Sequence, residues 1–180
     1  MLILYGSKYG TAQRYAEEFA RLVGESGAHP VREKLAPPQD GVTVFFGAVY
    51  VGKVHGLKRA VRLAASGERL FAVVNVGLAD EDESYRKQLE ASVRAACPER
   101  LLPRLKQYRL RGRLNEPALK GGDKFLLRLL HTAAEKTPAS EQTPEMRALL
   151  AAPADLPDLA PLKELKEDIA RDISSDRTRP

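Results

Sequence analysis

The chain has 180 residues and one cysteine, Cys97, which excludes an internal disulfide and a multi-cysteine zinc site. Hydrophobic residues make up 43% and charged residues 29%, the balance of a soluble globular fold with one core. The net charge of +5 favours anionic partners, but there is no long Lys/Arg run and no Trp, so nucleic acid is not expected.

No apolar run approaches the roughly 20 residues of a membrane helix. The opening MLILYGSKYG has neither the charged start nor the cleavage site of a signal peptide, so a reduced, cytoplasmic setting is expected.

Met1–Tyr5 is a short apolar run ending in Gly, the pattern of a buried strand. Thr11–Gly24 places Ala12, Tyr15, Ala16, Phe19, Ala20 and Val23 at helical spacing. His29–Leu35 is a short candidate strand closed by Pro37-Pro38. Val42–Ala48 is a second apolar run, and His55–Ala65 reads as a helix followed by Gly67. Leu70–Val76 is a third buried strand. Asp80–Cys97 is an amphipathic helix stopped by Pro98, and Gln107–Leu114 alternates apolar and basic residues as an outer strand does.

Beyond Leu114 the pattern changes. Lys124–Ala134 is an apolar helix, Lys136–Glu145 a loop, Ala151–Pro161 a proline-bearing link and Leu162–Ile173 a last helix. The polar tail 174–180 is expected to fray. Strands alternating with helices imply a three-layer α/β fold. Its five parallel strands, about 1–5, 29–35, 42–48, 70–77 and 107–114, are covered by helices on both faces. The expected organisation is a single domain over 1–173, with 115–157 a helical and loop extension after the fifth strand.

The stretch Ile3–Thr11 carries the chemistry. A buried strand feeds a small-residue loop that opens a helix, so unpaired N–H groups and the helix dipole form an anion site there. Gly6 and Gly10 allow a sharp turn and close approach, and Ser7 and Thr11 offer hydroxyls. The dinucleotide fingerprint G-x-G-x-x-G and the triphosphate loop G-x-x-x-x-G-K-[ST] are both absent. An ordinary strand–helix turn with Thr11 as N-cap would use the same residues.

In a sheet of strand order 2-1-3-4-5, a cofactor lies outside the carboxyl ends of strands 1 and 3. Strand 3 ends in Gly47, Ala48, Val49, Tyr50, Val51, Gly52 and Lys53. Small residues there leave room for a flat ring, on which Tyr50 can stack. Strand 4 ends in Asn75, Val76, Gly77 and Leu78, on the ring's other side. Tyr50 also fits a half-buried loop aromatic, and Asn75 a strand-end residue bonded to backbone.

Y-G-S-K-Y-G-T-A-Q-R-Y-A-E-E (Tyr5–Glu18), G-A-V-Y-V-G-K-V-H (Gly47–His55) and V-V-N-V-G-L (Val73–Leu78) resemble the flavodoxin-domain family. The similarity is closest to the branch that includes menaquinone-dependent protoporphyrinogen dehydrogenase, and it spans about residues 1–114. The resemblance implies a flavodoxin-like fold of strand order 2-1-3-4-5 and a bound flavin mononucleotide (FMN). The FMN would be held by Ser7, Lys8, Tyr9, Gly10, Thr11 and Ala12, with Gly47–Lys53 and Asn75–Leu78 around the ring. Ala12 stands where the family loop carries a Thr, so one hydroxyl contact is lost or Thr11 substitutes for it. Lys8 either offsets that loss by charge or points into water.

The implied activity is FMN-dependent oxidoreduction or electron transfer, with a redox partner protein or a small-molecule substrate such as a quinone. A quinone-linked protoporphyrinogen IX dehydrogenase of haem biosynthesis is one alternative. A cofactor-free flavodoxin-like interaction module, supported by Ala12, is another. No catalytic residue is assigned. His29, His55 and His131 are too far apart for a metal site. His55 opens a helix beside the ring site, where it serves proton transfer or acts as a capping or surface residue. Residues 120–131 are apolar with flanking bases, and either touch the inner face of a membrane or pack as an ordinary helix.

Overall fold

The computed structural model describes residues 1–8, 10–50, 52–67, 69–77, 83–112, 121–143, 146–147, 150 and 159–176, with backbone alone for 121–127 and 176. Among the described residues, five parallel strands form the sheet: β1 (Leu2–Gly6), β2 (His29–Pro30), β3 (Val42–Tyr50), β5 (Leu70–Gly77) and β6 (Leu105–Arg111). They lie in the order β2-β1-β3-β5-β6, and a two-residue strand, β4 (Lys53–Val54), pairs antiparallel with the end of β3. Leaving β4 aside, this is the expected order 2-1-3-4-5. Among the described residues the helices are α1 (Thr11–Val23), α2 (Leu57–Ala64), α3 (Glu83–Ala96), α4 (Gly121–Lys136) and α5 (Pro161–Asp176), with a short 3-10 helix at Glu99–Arg104, and Met146, Arg147 and Leu150 are also helical.

Alternation along each strand divides the core in two. Ile3, Val44, Phe46, Ala72 and Val74 face α1 and α5, and Phe19 of α1 meets Phe46 with ring centres 5.5 Å apart. Leu2, Leu4, Phe45, Phe71 and Val73 face α2 and α3. Sheets covered on both sides need strands that are apolar at every position, and β3 and β5 are buried almost throughout. The α5 helix is seated by Leu162, Leu165 and Ile169 and fixed by polar contacts to the sheet. The Tyr108 hydroxyl donates to Asp172 at 2.6 Å, Lys106 Nζ lies 3.0 Å from the same carboxylate, and Arg69 donates to the Ile173 carbonyl.

Several boundaries differ from the sequence reading. The second strand is not 29–35 but stops at Pro30. The Val31 N–H still donates to the Tyr5 carbonyl, but the Glu33 N–H then closes a turn onto Pro30. Val31 is thereby turned inward against Gly56, and Arg32, Glu33 and Lys34 are left in solvent. The third strand continues to Tyr50 because β4 folds back on it. The second helix starts at Leu57, after Gly56 takes a left-handed φ of 84° as N-cap. The fifth parallel strand begins at Leu105 and is described to Arg111. The last helix runs to Asp176, so 174–176 are helical rather than frayed, and 177–180 lie outside the described residues.

Candidate cofactor site at the carboxyl edge of the sheet

The first loop leaves β1 at Gly6. A Cβ on Gly6 would lie 2.0 Å from the His55 carbonyl oxygen, so this glycine serves close packing of two main chains rather than approach of a ligand. Ser7 Oγ accepts the Gly10 N–H at 3.0 Å and closes the turn. Its hydroxyl hydrogen is left to donate to a second group. Gly10 takes a φ of 89°, and nothing lies within 4 Å of where its Cβ would be. It is the N-cap of α1, and no side chain caps the helix among the described residues. Thr11 is therefore not the cap but the first helical residue, with a buried side chain. The first internal helix bond is donated by Arg14 N–H to the Gly10 carbonyl at 2.9 Å. Ala12 and Gln13 thus sit in the turn whose N–H groups have no carbonyl within the helix. This edge of the loop is open and carries the positive end of the helix dipole.

Ala12 is completely buried in the core cluster of α1, so its methyl group is not at the open edge and it can offer only its backbone N–H there. Lys8 is exposed to solvent, but it is not isolated there. Its ammonium lies 4.6 Å from the centre of the Tyr50 ring, joining the first loop to the second by a cation–π contact. Tyr9 lies outside the described residues.

The second loop is a hairpin. Val49 pairs with Val54 and Tyr50 with Lys53, and Gly52 at the tip has a φ of 67°. Val51 lies outside the described residues. The expectation of open room at Gly47 is corrected, because a Cβ there would lie 2.2 Å from Val54 Cγ1. The space beside Gly47 is filled by the returning hairpin. Ala48 accepts the His55 N–H at 2.9 Å, which ties the hairpin to the strand below it. His55 precedes the helix instead of opening it. Burial pushes its imidazole below the usual range, and the charges of Arg32 and Lys8 push it the same way. Arg32 was not singled out from sequence. Only the turn after β2 brings it near His55.

At the third strand end, Val76 is buried and Gly77 lies against Val49, its carbonyl accepting the Gly112 N–H at 2.7 Å. Leu78 lies outside the described residues. Asn75 is 2% exposed and faces the α3 side of the sheet. Its Nδ2 donates to Gln107 Oε1 at 3.5 Å, and Gln107 donates on to the Glu90 carbonyl of α3. Its Oδ1 has no partner among the described residues. The structure therefore brings together Ser7, Lys8, Gly10, Tyr50, Gly52, Lys53 and Gly77 at one edge, while Ala12, Gly47, Val76 and Asn75 are held in the interior. Among the described residues no group of three metal-ligating side chains occurs, and no helix is long and apolar enough to cross a membrane.

No curated protein matches this sequence. The family model described as the flavodoxin domain matches residues 2–141, a span that contains all three strand ends and both loops joined by Lys8 and Tyr50. The chain belongs to the flavodoxin-domain family.

Proposed function

We propose that the chain binds FMN at this edge and uses it for electron transfer. The observation that carries the reading is the uncapped start of α1, with open space at Gly10 and Lys8 close by. A phosphate dianion suits that arrangement. Ser7 and the first-turn N–H groups would hold it, and Lys8 would add charge. The residues that fit a flat ring are Tyr50 and the hairpin tip at Gly52–Lys53, with Gly77 at the neighbouring strand end. Gly47 does not contribute a slot, since Val54 occupies that space. A bound flavin supplies one- and two-electron chemistry. The chain's part is to orient it, exclude water from one ring face and set the charge around it.

The direct test is an FMN titration of purified protein. Quenching of flavin fluorescence and a shifted absorbance band at micromolar concentration are expected. Free-flavin spectra throughout would remove the reading.

A second reading, quinone-linked oxidation of protoporphyrinogen, is favoured by the basic surface, which suits propionate groups. Porphyrinogen oxidation with a quinone acceptor at a rate above that of free FMN would support it. A rate equal to free FMN would remove it. Contact of residues 120–131 with a membrane surface belongs to the same proposal and is supported by Leu129, 56% exposed on α4. Binding to anionic vesicles that is unaffected by Lys120→Glu/Lys124→Glu would count against it.

A further inference from the structure

We infer that the groove between the turn after β2 and helix α2 docks an acidic, extended protein segment. This surface is separate from the α1 loop, and the inference does not depend on flavin binding. The groove is shallow and open, with a volume of about 550 Å³. Leu35 and Leu63 are half-buried in it, and Lys34, Arg59 and Arg62 stand around them in solvent. Arg32 and Lys58 extend the same exposed charge along the turn and the helix. Glu33 is the one acid lining the groove, and it lies 3.3 Å from His29.

Two of the helix cations are placed against the helix's own stability, while Arg62 lies in the last turn, where the dipole favours it. Lys58 and Arg59 occupy the first turn of α2, where the dipole is positive and acids are favoured; the turn holds none. Arg62 is a like-charged neighbour of both at helical spacing. Arg62 Nε donates to the Lys58 carbonyl at 3.4 Å. Among the described residues, none of Arg32, Lys34, Lys58, Arg59 and Arg62 forms an ion pair. Intrinsic helix energetics therefore do not account for Lys58 and Arg59, whereas an external anionic partner does.

The shape selects the class of partner. The two leucines are half-buried in a shallow, open depression with exposed cations around them, which suits an apolar side chain flanked by carboxylates. No aromatic residue lines the groove to stack nucleobases. An extended segment alternating Glu or Asp with Leu fits both the apolar floor and the basic rim.

The test uses the whole chain and a fluorescein-labelled peptide of repeating Glu-Glu-Leu, followed by fluorescence anisotropy at low and physiological salt. Binding that weakens with salt is expected. Arg59→Glu/Arg62→Glu should weaken it about tenfold or more, with an unchanged circular dichroism spectrum. Lys34→Glu, on the turn rather than the helix, should weaken it about threefold. Lys163→Glu/Lys166→Glu on α5 should leave it unchanged. Amide shift changes in the wild-type chain should fall on 31–35 and 57–63, a readout that stands even if the double variant folds poorly. The inference is overturned if the peptide binds equally to wild type and Lys34→Glu with shifts elsewhere. It is also overturned if a single-stranded oligonucleotide or phosphatidylglycerol vesicles bind this groove more tightly than the peptide.

Discussion

Lys8 and Tyr50 come from different loops, and the lysine ammonium rests 4.6 Å from the centre of the tyrosine ring. One contact thus brackets the edge at which FMN is proposed to bind. Lys8→Gln is expected to weaken FMN about two- to fivefold, the worth of one exposed charge toward a phosphate. Tyr50→Phe should stay within about twofold, because the ring face is retained. Tyr50→Ala should cost about tenfold, the scale of a lost aromatic contact. Fluorescence titration checks all three, and equal affinity across the series would show that the ring site lies elsewhere.

Gly6 and Gly47 both abut atoms that a Cβ would strike, but the obstacles differ. At Gly6 it is the His55 main chain, at Gly47 a methyl of Val54 and, less closely, the edge of the Phe45 ring. Gly6→Ala should destabilise by about 3 kcal/mol or more, since backbone must move. Gly47→Ala should cost about 1–3 kcal/mol and be partly rescued by Val54→Ala, the two changes coupling because they share one space. Urea denaturation midpoints of the single and double variants measure this.

The Tyr108–Asp172 bond makes stability depend on pH. Burial alone pushes the Asp172 carboxyl up, but hydrogen bonds from Tyr108 and Lys106 outweigh it and hold the carboxyl below the usual range. A depressed carboxyl stabilises the fold above its unfolded pKa of about 4, and the gain is lost as pH falls through the folded value. Burial first, then Asp172, raises the Tyr108 phenol, so its contribution holds below about pH 10 and is lost above. Tyr108→Phe should therefore cost about 1.5–3 kcal/mol at pH 7 and less near pH 3. A gap between variant and wild type that stayed constant from pH 3 to pH 7 would contradict this.

Asn75 and Gln107 should respond unequally. Gln107→Leu leaves the Asn75 amide buried with its described partner gone, at a cost of about 1–3 kcal/mol. Asn75→Leu removes that amide and should cost less than about 1 kcal/mol. Because Asn75 faces α3, FMN affinity should stay within about twofold in that variant. Chemical denaturation and FMN titration separate the two effects.

The strands and helices of this fold were largely legible from sequence because their signals are local. Unbroken apolar runs marked β3 and β5, and the stripe Ala12–Tyr15–Ala16–Phe19 marked α1. The strand order followed from the alternation of elements together with the family resemblance. What escaped detection depended on contacts between distant segments. Pro30 and the inward pull of Val31 shortened β2, and the two-residue β4 is too short for any periodicity. Gly47 read as open space from sequence because its filler, Val54, lies across a hairpin. The loop at Ser7–Gly10 was located correctly as a turn opening a helix. The choice of Gly10 over Thr11 as cap, and the seat of Lys8 on Tyr50, required coordinates.

The unlike neighbours of the two glycines have a consequence for how this sequence can drift. A larger residue at 47 is admissible only in a lineage that has first trimmed position 54 and lets the Phe45 ring give way, so positions 45, 47 and 54 should covary among descendants. Position 6 has no such route. Its neighbour is a carbonyl that every amino acid at 55 would carry, and no exchange of side chains can make way for it.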